Sequence, residues 1–372
     1  MVKSVRFLDV WARFGLAASV MVCLIGQELA AAGVGPGVDS ASPVEITECF
    51  QTVETDAVLA HDLVCEVHGL ARAAIEIVAS NVTVDLGGHA LFGYPVGELG
   101  IRAEGVDGVT VKNGTIDGFR IGLTFAEGSD VTAEYLTIRN LEIEDPDVWV
   151  IGVWLNDCQD VIVRNATFEF LHSYHKSAVE AWASDFTVDT IASNGGALGV
   201  EINFKATGEV VNSRFLGASI AGVLIEGSDG ARIADNEFVR NEFGIAAAGP
   251  RREPISGLTV ETNSIENGNI GISFGAISES TVLDNIVRGH SRGISLEPSH
   301  CQDPPGPECQ YSSGNVITGN TVLGNSVDLY HHETCVPNTW ERNFCRTTEG
   351  DEIPPCLRRW RRPSRRVEPA SP

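Results

Sequence analysis

Positive charge is scarce in this 372-residue chain: 26 Lys and Arg stand against 50 Asp and Glu, for a net charge of −24. The first 32 residues and the 15 that follow Leu357 together carry +6, which leaves −30 on everything between. So acidic a surface repels nucleic acid and anionic lipid unless a cation or a local basic patch bridges them, which excludes DNA and RNA as partners of the body. Methionine is nearly absent, at 2 residues, and the apolar residues are mostly Val, Ile, Leu and Phe in short runs bounded by Gly, Asn and Asp. Such runs read as strands and turns, not helices. The apolar run Phe14 to Gly26 is too short to cross a bilayer. It follows Lys3, Arg6 and Arg13 and precedes Ala30-Ala31-Ala32, the order of a secretory signal. Residues 1–32 are therefore expected to be a signal peptide on a secreted or periplasmic protein with no membrane span in the mature chain. An uncleaved anchor is the alternative.

Nine cysteines are present, eight once Cys23 is set aside, an even number suited to an oxidising compartment. Cys49 and Cys65 flank the start of the patterned region, while Cys301, Cys309, Cys335, Cys345 and Cys356 lie at its end, so bridges are expected in the caps. Cys158 stands alone in the middle and reads as a small buried apolar residue. An odd number remains at the C-terminal end, and the pairing there stays open.

A repeat dominates what is present. Gly100-Ile101, Gly122-Leu123, Gly152-Val153, Gly199-Val200, Gly222-Val223, Gly244-Ile245, Gly271-Ile272 and Gly293-Ile294 open equivalent segments, and Ala178-Val179 fills the one missing place. Their spacings of 22, 30, 26, 21, 23, 22, 27 and 22 residues cluster near 22, the excess falling in stretches such as Glu144 to Asp147 and Pro250 to Pro254. A second apolar pair follows each segment, as in Val161-Ile162-Val163, and then a third, as in Arg214-Phe215 and Glu237-Phe238. Strands so short and close leave no room for crossover helices, so each pairs in parallel with its counterpart one repeat away. Asn236, Asn263, Asn285 and Asn320 recur before the third strand, where an amide can bond to its equivalent in the next coil. The expected fold is all-β: a single-stranded right-handed parallel β-helix of about ten coils, each with three short strands. A propeller or sandwich needs longer antiparallel hairpins. The divisions are 1–32 signal, 33–74 N-terminal cap, 75–334 β-helix, 335–357 C-terminal cap and 358–372 a disordered Arg-rich tail.

Over residues 75 to about 330, the alternation of glycines, strand pairs and asparagines resembles the repeats of the pectate-lyase-like right-handed β-helix family. The stretch from Ile46 through Asn81-Val82-Thr83-Val84-Asp85-Leu86-Gly87-Gly88-His89 is similar to the entry segment of exported bacterial members. The resemblance implies a site on the outer face of the sheet formed by the Gly segments. It does not extend to a catalytic signature: Asn156-Asp157-Cys158 and Gly289-His290-Ser291 only partly match the polygalacturonase motifs and fall on turn positions of the repeat.

Alternation along the Gly segments sends Ile101, Leu123, Val153, Val179, Val200, Val223, Ile245, Ile272 and Ile294 inward. The outward positions are then Arg102, Trp154, Asn156, Glu180, Trp182, Glu201, Asn203, Leu224 and Glu226, with small residues after them. Glu180 and Glu201 share a register in adjacent coils, about 4.8 Å apart at the backbone. Carboxyls that close repel, so one keeps its proton or a calcium ion sits between them. Either arrangement suits acid–base work on a glycosidic bond or uronic acid. Glu180, Glu201, His175, Lys176 and Lys205 are the expected catalytic cluster, and Trp154, Asn156, Trp182, Asn203 and Arg102 the expected substrate contacts, the two indoles stacking on sugar rings. No metal is read from His331-His332-Glu333, since neighbouring side chains on a strand face opposite ways. The expected partner is a polysaccharide or cell-surface glycan, met by a monomer that acts as a lyase, hydrolase or epimerase. The alternatives are that the carboxylates are solvated and paired with Lys176 or Lys205, that the indoles pack under the Glu144 to Asp147 loop, and that the protein is a non-catalytic surface or adhesion scaffold.

Overall fold

The computed structural model describes residues 42–68, 72–140, 149–170, 176–249, 254–299, 309–350 and 352–357. The expectations for the signal segment, the Arg-rich tail, the Glu144 to Asp147 loop, His175 and Cys301 lie outside these residues. Among the described residues no helix is long and apolar enough to cross a membrane.

The chain is an all-β solenoid of about 11 turns, in which every strand pairs in parallel with the equivalent strand of the coils before and after it. Three columns of inward side chains follow from the period-two alternation of the strands. In the first sheet, Ile75, Ile101, Leu123, Val153, Val179, Val200, Val223, Ile245, Ile272, Ile294 and Leu329 are successive register partners, all buried. The second sheet contributes Val163, Val188, Val210 and Ile233, and the third Phe168, Ser193, Phe215 and Phe238. Phe215 and Phe238 stack across adjacent coils with ring centroids 5.0 Å apart. Parallel pairing runs from Val44 to Glu349, into both segments expected as caps.

The recurring glycines stand where the chain turns from the third sheet into the first. A Cβ on Gly199 would lie 2.4 Å from the carbonyl oxygen of Gly222 and 2.2 Å from the Phe215 ring. On Gly222 it would meet Gly244 O at 2.8 Å and Phe238 at 2.4 Å. Two surfaces therefore forbid a side chain: the backbone one coil on, and the large third-sheet residue of the same coil. The exception explains itself. In the coil where Ala178 replaces glycine, the corresponding third-sheet residue is Ser193, the one small side chain between Phe168 and Phe215 in that column. The methyl group added at one corner is matched by volume removed beside it.

Other corners use left-handed backbone. Asn81, Asn113, Asn165 and Asn212 have φ between 51° and 60°, which asparagine tolerates well, so all four serve as turn residues of the repeat. Between the second and third sheets runs the expected asparagine ladder. The Asn236 amide donates to Asn263 Oδ1 at 3.1 Å, Asn263 to Asn285 at 2.9 Å, and Asn285 to Asn320 at 3.0 Å, and Asn320 extends the series to Asn343 at 3.0 Å. The second N–H of each amide donates to a carbonyl of the preceding coil, as Asn285 does to Val260 O at 2.9 Å. Each Oδ1 also accepts a backbone N–H, so the buried amides are fully used. His290 occupies a comparable turn position: its Nε2 donates to Ile265 O at 3.2 Å and its Nδ1 accepts from Gly268 N at 3.1 Å, while burial lowers its pKa. Its passing likeness to a catalytic histidine dissolves in that role.

Disulfides Cys49–Cys65 and Cys345–Cys356 close the two ends, and Cys309 is bonded as well. Cys158 is free and buried, as expected, and the thiol left unpaired at the C-terminal end is Cys335. Outside, ion pairs stitch coil to coil: Arg102–Glu76 at 2.6 Å, Arg120–Glu98 and Arg139–Asp117 at 2.8 Å, Arg164–Glu134 at 2.7 Å and Arg232–Glu261 at 2.8 Å.

Candidate functional site

The outward positions of the first sheet fall into two columns. Arg102, Thr124, Trp154, Glu180, Glu201 and Leu224 are successive register partners in one, and Asn156, Trp182, Asn203 and Glu226 in the other. Sequence alternation thus places the expected residues together on one face. It does not make that face an open groove. Glu180 is 2% exposed and Glu201 4%, Thr124 and Asn203 are buried with them, and Trp154, Asn156, Trp182 and Glu226 are partly covered.

Each carboxylate is held from two residues further along its own strand, the spacing that returns to the same face. Trp182 Nε1 donates to Glu180 Oε1 at 2.6 Å, and Asn203 Nδ2 donates to Glu201 Oε1 at 2.8 Å, with the Ser177 hydroxyl 3.5 Å from Glu201 Oε2. The Trp182 ring lies stacked on Phe204, centroids 4.5 Å apart and planes 28° apart, with Phe204 exposed at the turn. Burial, then repulsion from Glu201, pushes the Glu180 carboxyl from its ordinary 4.5 to about 8, against the opposing hydrogen bond from Trp182. Burial raises Glu201 too, its bonds to Asn203 and Ser177 opposing the shift. Glu226, buried beside the same cluster and repelled by Glu201, is pushed up to about 7. No lysine enters the balance of any of the three. Near pH 7 the cluster carries fewer charges than carboxyls, so it both donates and accepts protons.

Four polar atoms on this face are buried and have no partner among the described residues: Thr124 Oγ1, Trp154 Nε1, Glu180 Oε2 and Asn203 Oδ1. Buried polar atoms are nearly always paired, so a run of four on consecutive rungs marks a place where the fold leaves bonding capacity unspent.

The remaining expected residues are placed differently. Lys176 begins the strand Lys176–Trp182 in register with Val150, fully buried, and burial lowers its pKa. Lys205 stands exposed on the turn after the strand Leu198–Asn203, where Phe204 and Lys205 both have positive φ. Arg102 is engaged by Glu76, whose hydrogen bond raises the guanidinium pKa further. His331 is buried and bonded to the Cys335 carbonyl, whereas His332 bonds Thr334. Four participants were missed: Thr124, Ser177, Phe204 and Glu226. Glu226 was legible, being an outward position in the same column as Asn203. A cleft of about 630 Å³ lined by Glu169, Phe170, Asn194, Leu216 and Arg240 lies at the ends of the third-sheet strands, not at the carboxyls.

Comparison with known proteins accords with this architecture. Residues 198–346 match the family described as right handed beta helix region, and residues 81–253 match periplasmic copper-binding protein (NosD). No curated protein matches the sequence. Among solved structures, the A-module of an Azotobacter vinelandii mannuronan C-5 epimerase is 13% identical with a TM-score of 0.49, covering 81% of this chain and 86% of that one. The Streptococcus pneumoniae surface adhesin PfbA is 13% identical with a TM-score of 0.48, covering 81% and 82%. A Thermotoga maritima exopolygalacturonase is 11% identical with a TM-score of 0.44, covering 81% and 83%.

Copper prefers imidazole, thiolate and thioether donors. Residues 81–253 contain no methionine, three histidines (His89, His172 and His175) and one cysteine. Cys158 is buried and bonded to Asn156 O, and His89 lies 3.4 Å from Asp62 at the surface. Among the described residues no group of three or more His, Cys, Asp and Glu is placed to hold a metal. The described donors fit neither copper nor a calcium ion bridging the two glutamates.

Proposed function

From the premise that this chain is a right-handed parallel β-helix protein, we propose that it is exported and binds or processes a polysaccharide on the outer face of its first sheet. The observation that carries this reading is the stacked Glu180–Glu201 pair, buried, raised in pKa and flanked by polar atoms with unspent hydrogen bonds. A carboxyl that titrates near neutral pH delivers a proton to a leaving oxygen in its protonated form, or withdraws one from a sugar carbon in its ionised form. Glu180 is that acid or base, and Glu201, also raised by burial, is the neighbour it shares protons with, steadied by Asn203. Phe204, packed on Trp182, offers the apolar surface a sugar ring covers. His175, Lys176 and Lys205 flank this pair in sequence, and Trp154, Asn156 and Arg102 continue the face toward the N-terminal coils. The disulfides and the periplasmic family description support action outside the cytoplasm.

The deep burial of both carboxyls favours a second reading, a scaffold whose outer columns only pack. The two part on Glu180→Gln and Glu201→Gln. Both variants keep the fold. Under the first reading each loses at least a hundredfold in turnover or binding of the responsive glycan; unchanged glycan activity in both removes this site and leaves the scaffold.

A further inference from the structure

The chemistry of this face narrows its ligand. Three carboxyls, those of Glu180, Glu201 and Glu226, occupy consecutive coils, and their hydrogen-bond partners are neutral. Of the four unpartnered buried atoms, two are oxygens that accept once the face is charged, Asn203 Oδ1 and, when its carboxyl ionises, Glu180 Oε2, on side chains 1% and 2% exposed; only Trp154 Nε1 is purely a donor. A uronic acid would bring a negative charge into that setting, on a body already at −30. The guanidinium of Arg102, which stands in the same outward column, is held in a coil-to-coil ion pair with Glu76. A bare metal ion needs a tighter donor set than the described residues supply. Among the described residues the hydrogen bonds to Glu180 and Glu201 come from neutral groups, and beside them Phe204 offers 56% of its surface as a wall for a sugar ring.

We propose that the glycan taken by this face carries protonated amino groups, an amino-sugar polymer, with its ammonium received by Glu180 and Asn203 and its charge balanced by Glu201 and Glu226. This rests on the polysaccharide reading above. An ammonium donates up to three hydrogen bonds and meets both orphaned oxygens, and its arrival lets the carboxyls ionise. Binding is therefore coupled to proton release into solvent.

The test uses the full chain at pH 6, where the sugar amine is already protonated, and isothermal titration in two buffers of different ionisation enthalpy. Four probes are compared: a β-1,4-linked glucosamine tetramer, its fully N-acetylated counterpart, a galacturonate tetramer and spermidine. The glucosamine tetramer is expected to bind at least tenfold tighter than the other three, with a buffer-dependent heat of the sign that marks proton release. Glu226→Gln, a near-isosteric change two rungs from Glu180, is expected to weaken that tetramer about tenfold and reduce the protons released. Equal or tighter binding of the N-acetylated or galacturonate tetramer overturns the inference and leaves the polysaccharide reading standing. Equal binding of spermidine overturns it by showing that the sugar is not recognised. Binding of no probe by the folded protein, with no response on a wider glycan array, overturns both.

Discussion

Two sets of buried polar side chains occupy this solenoid, and they are built to opposite rules. In the later coils, Asn236, Asn263, Asn285, Asn320 and Asn343 lie inside a corner with each amide fully bonded along the axis. In the middle coils, Glu180, Glu201, Asn203, Trp154 and Thr124 lie on the outside of the first sheet, bonded in part and leaving four atoms without partners. The late coils carry small residues there, Ala246, Ala248, Ser273 and Gly275, followed by Ser295 and Glu297, which bond to each other at 2.7 Å, with Arg292 paired to Glu297. Satisfied buried polar groups specify a fold, whereas unsatisfied ones lower its stability and persist where something other than stability is being served.

That contrast is broken most severely by Asn285→Ala. The change orphans Val260 O and the side-chain and backbone N–H of Asn263, so at about 1–3 kcal/mol per buried group the expected loss is roughly 3–5 kcal/mol, read from chemical denaturation. A loss below about 1 kcal/mol would show that the ladder is ornamental.

The carboxylate face answers to pH instead. A carboxyl whose folded pKa exceeds its unfolded value stabilises the fold fully below the unfolded value and loses that contribution as pH rises through the folded one. With Glu180 raised from 4.5 to about 8 and Glu226 to about 7, stability is expected to fall by about 2 kcal/mol or more between pH 5 and 8. Glu180→Gln should flatten that profile and raise the melting temperature at pH 8. A profile flat in the parent protein contradicts the burial argument.

The corner exchange gives a sharper, smaller test. Ser193→Phe restores the size seen above and below it but collides with the Ala178 methyl, for an expected cost of about 1–3 kcal/mol. Adding Ala178→Gly should recover most of it, and additive effects in the double variant would mean that the two positions are uncoupled. The smallest effect belongs to the surface stitching: Arg164→Ala removes a solvent-screened pair with Glu134 and should shift the denaturation midpoint least of these variants, and less still at high salt.

How much of this was legible follows from what a period can encode. The inward columns, the sheet that carries the site, the shared register of Glu180 and Glu201 and the asparagine ladder all repeat with the coil, so the sequence displayed them. The burial of the outward face did not, because alternation says only which side of the strand a residue leaves, not whether another side chain lies over it. The turn position of Lys205 was not legible for a local reason: the chain enters left-handed backbone at Phe204 and Lys205, with neither glycine nor asparagine to signal it. Ala183 and Tyr135 do the same elsewhere. Cys335 escaped assignment because spacing alone cannot choose among cysteine partners, and only coordinates show which thiol stays reduced.

The corner glycines carry a last implication for how such a molecule is remodelled. With each Cβ position pressed against the carbonyl of the following coil, the pitch along the axis is fixed by backbone contact and has no slack. Extra chain between two corners can then only leave the coil sideways at a vertex. Girth and length become independent variables: the perimeter can be redecorated coil by coil to suit a new client, while the spacing between neighbouring functional groups stays that of a ruler.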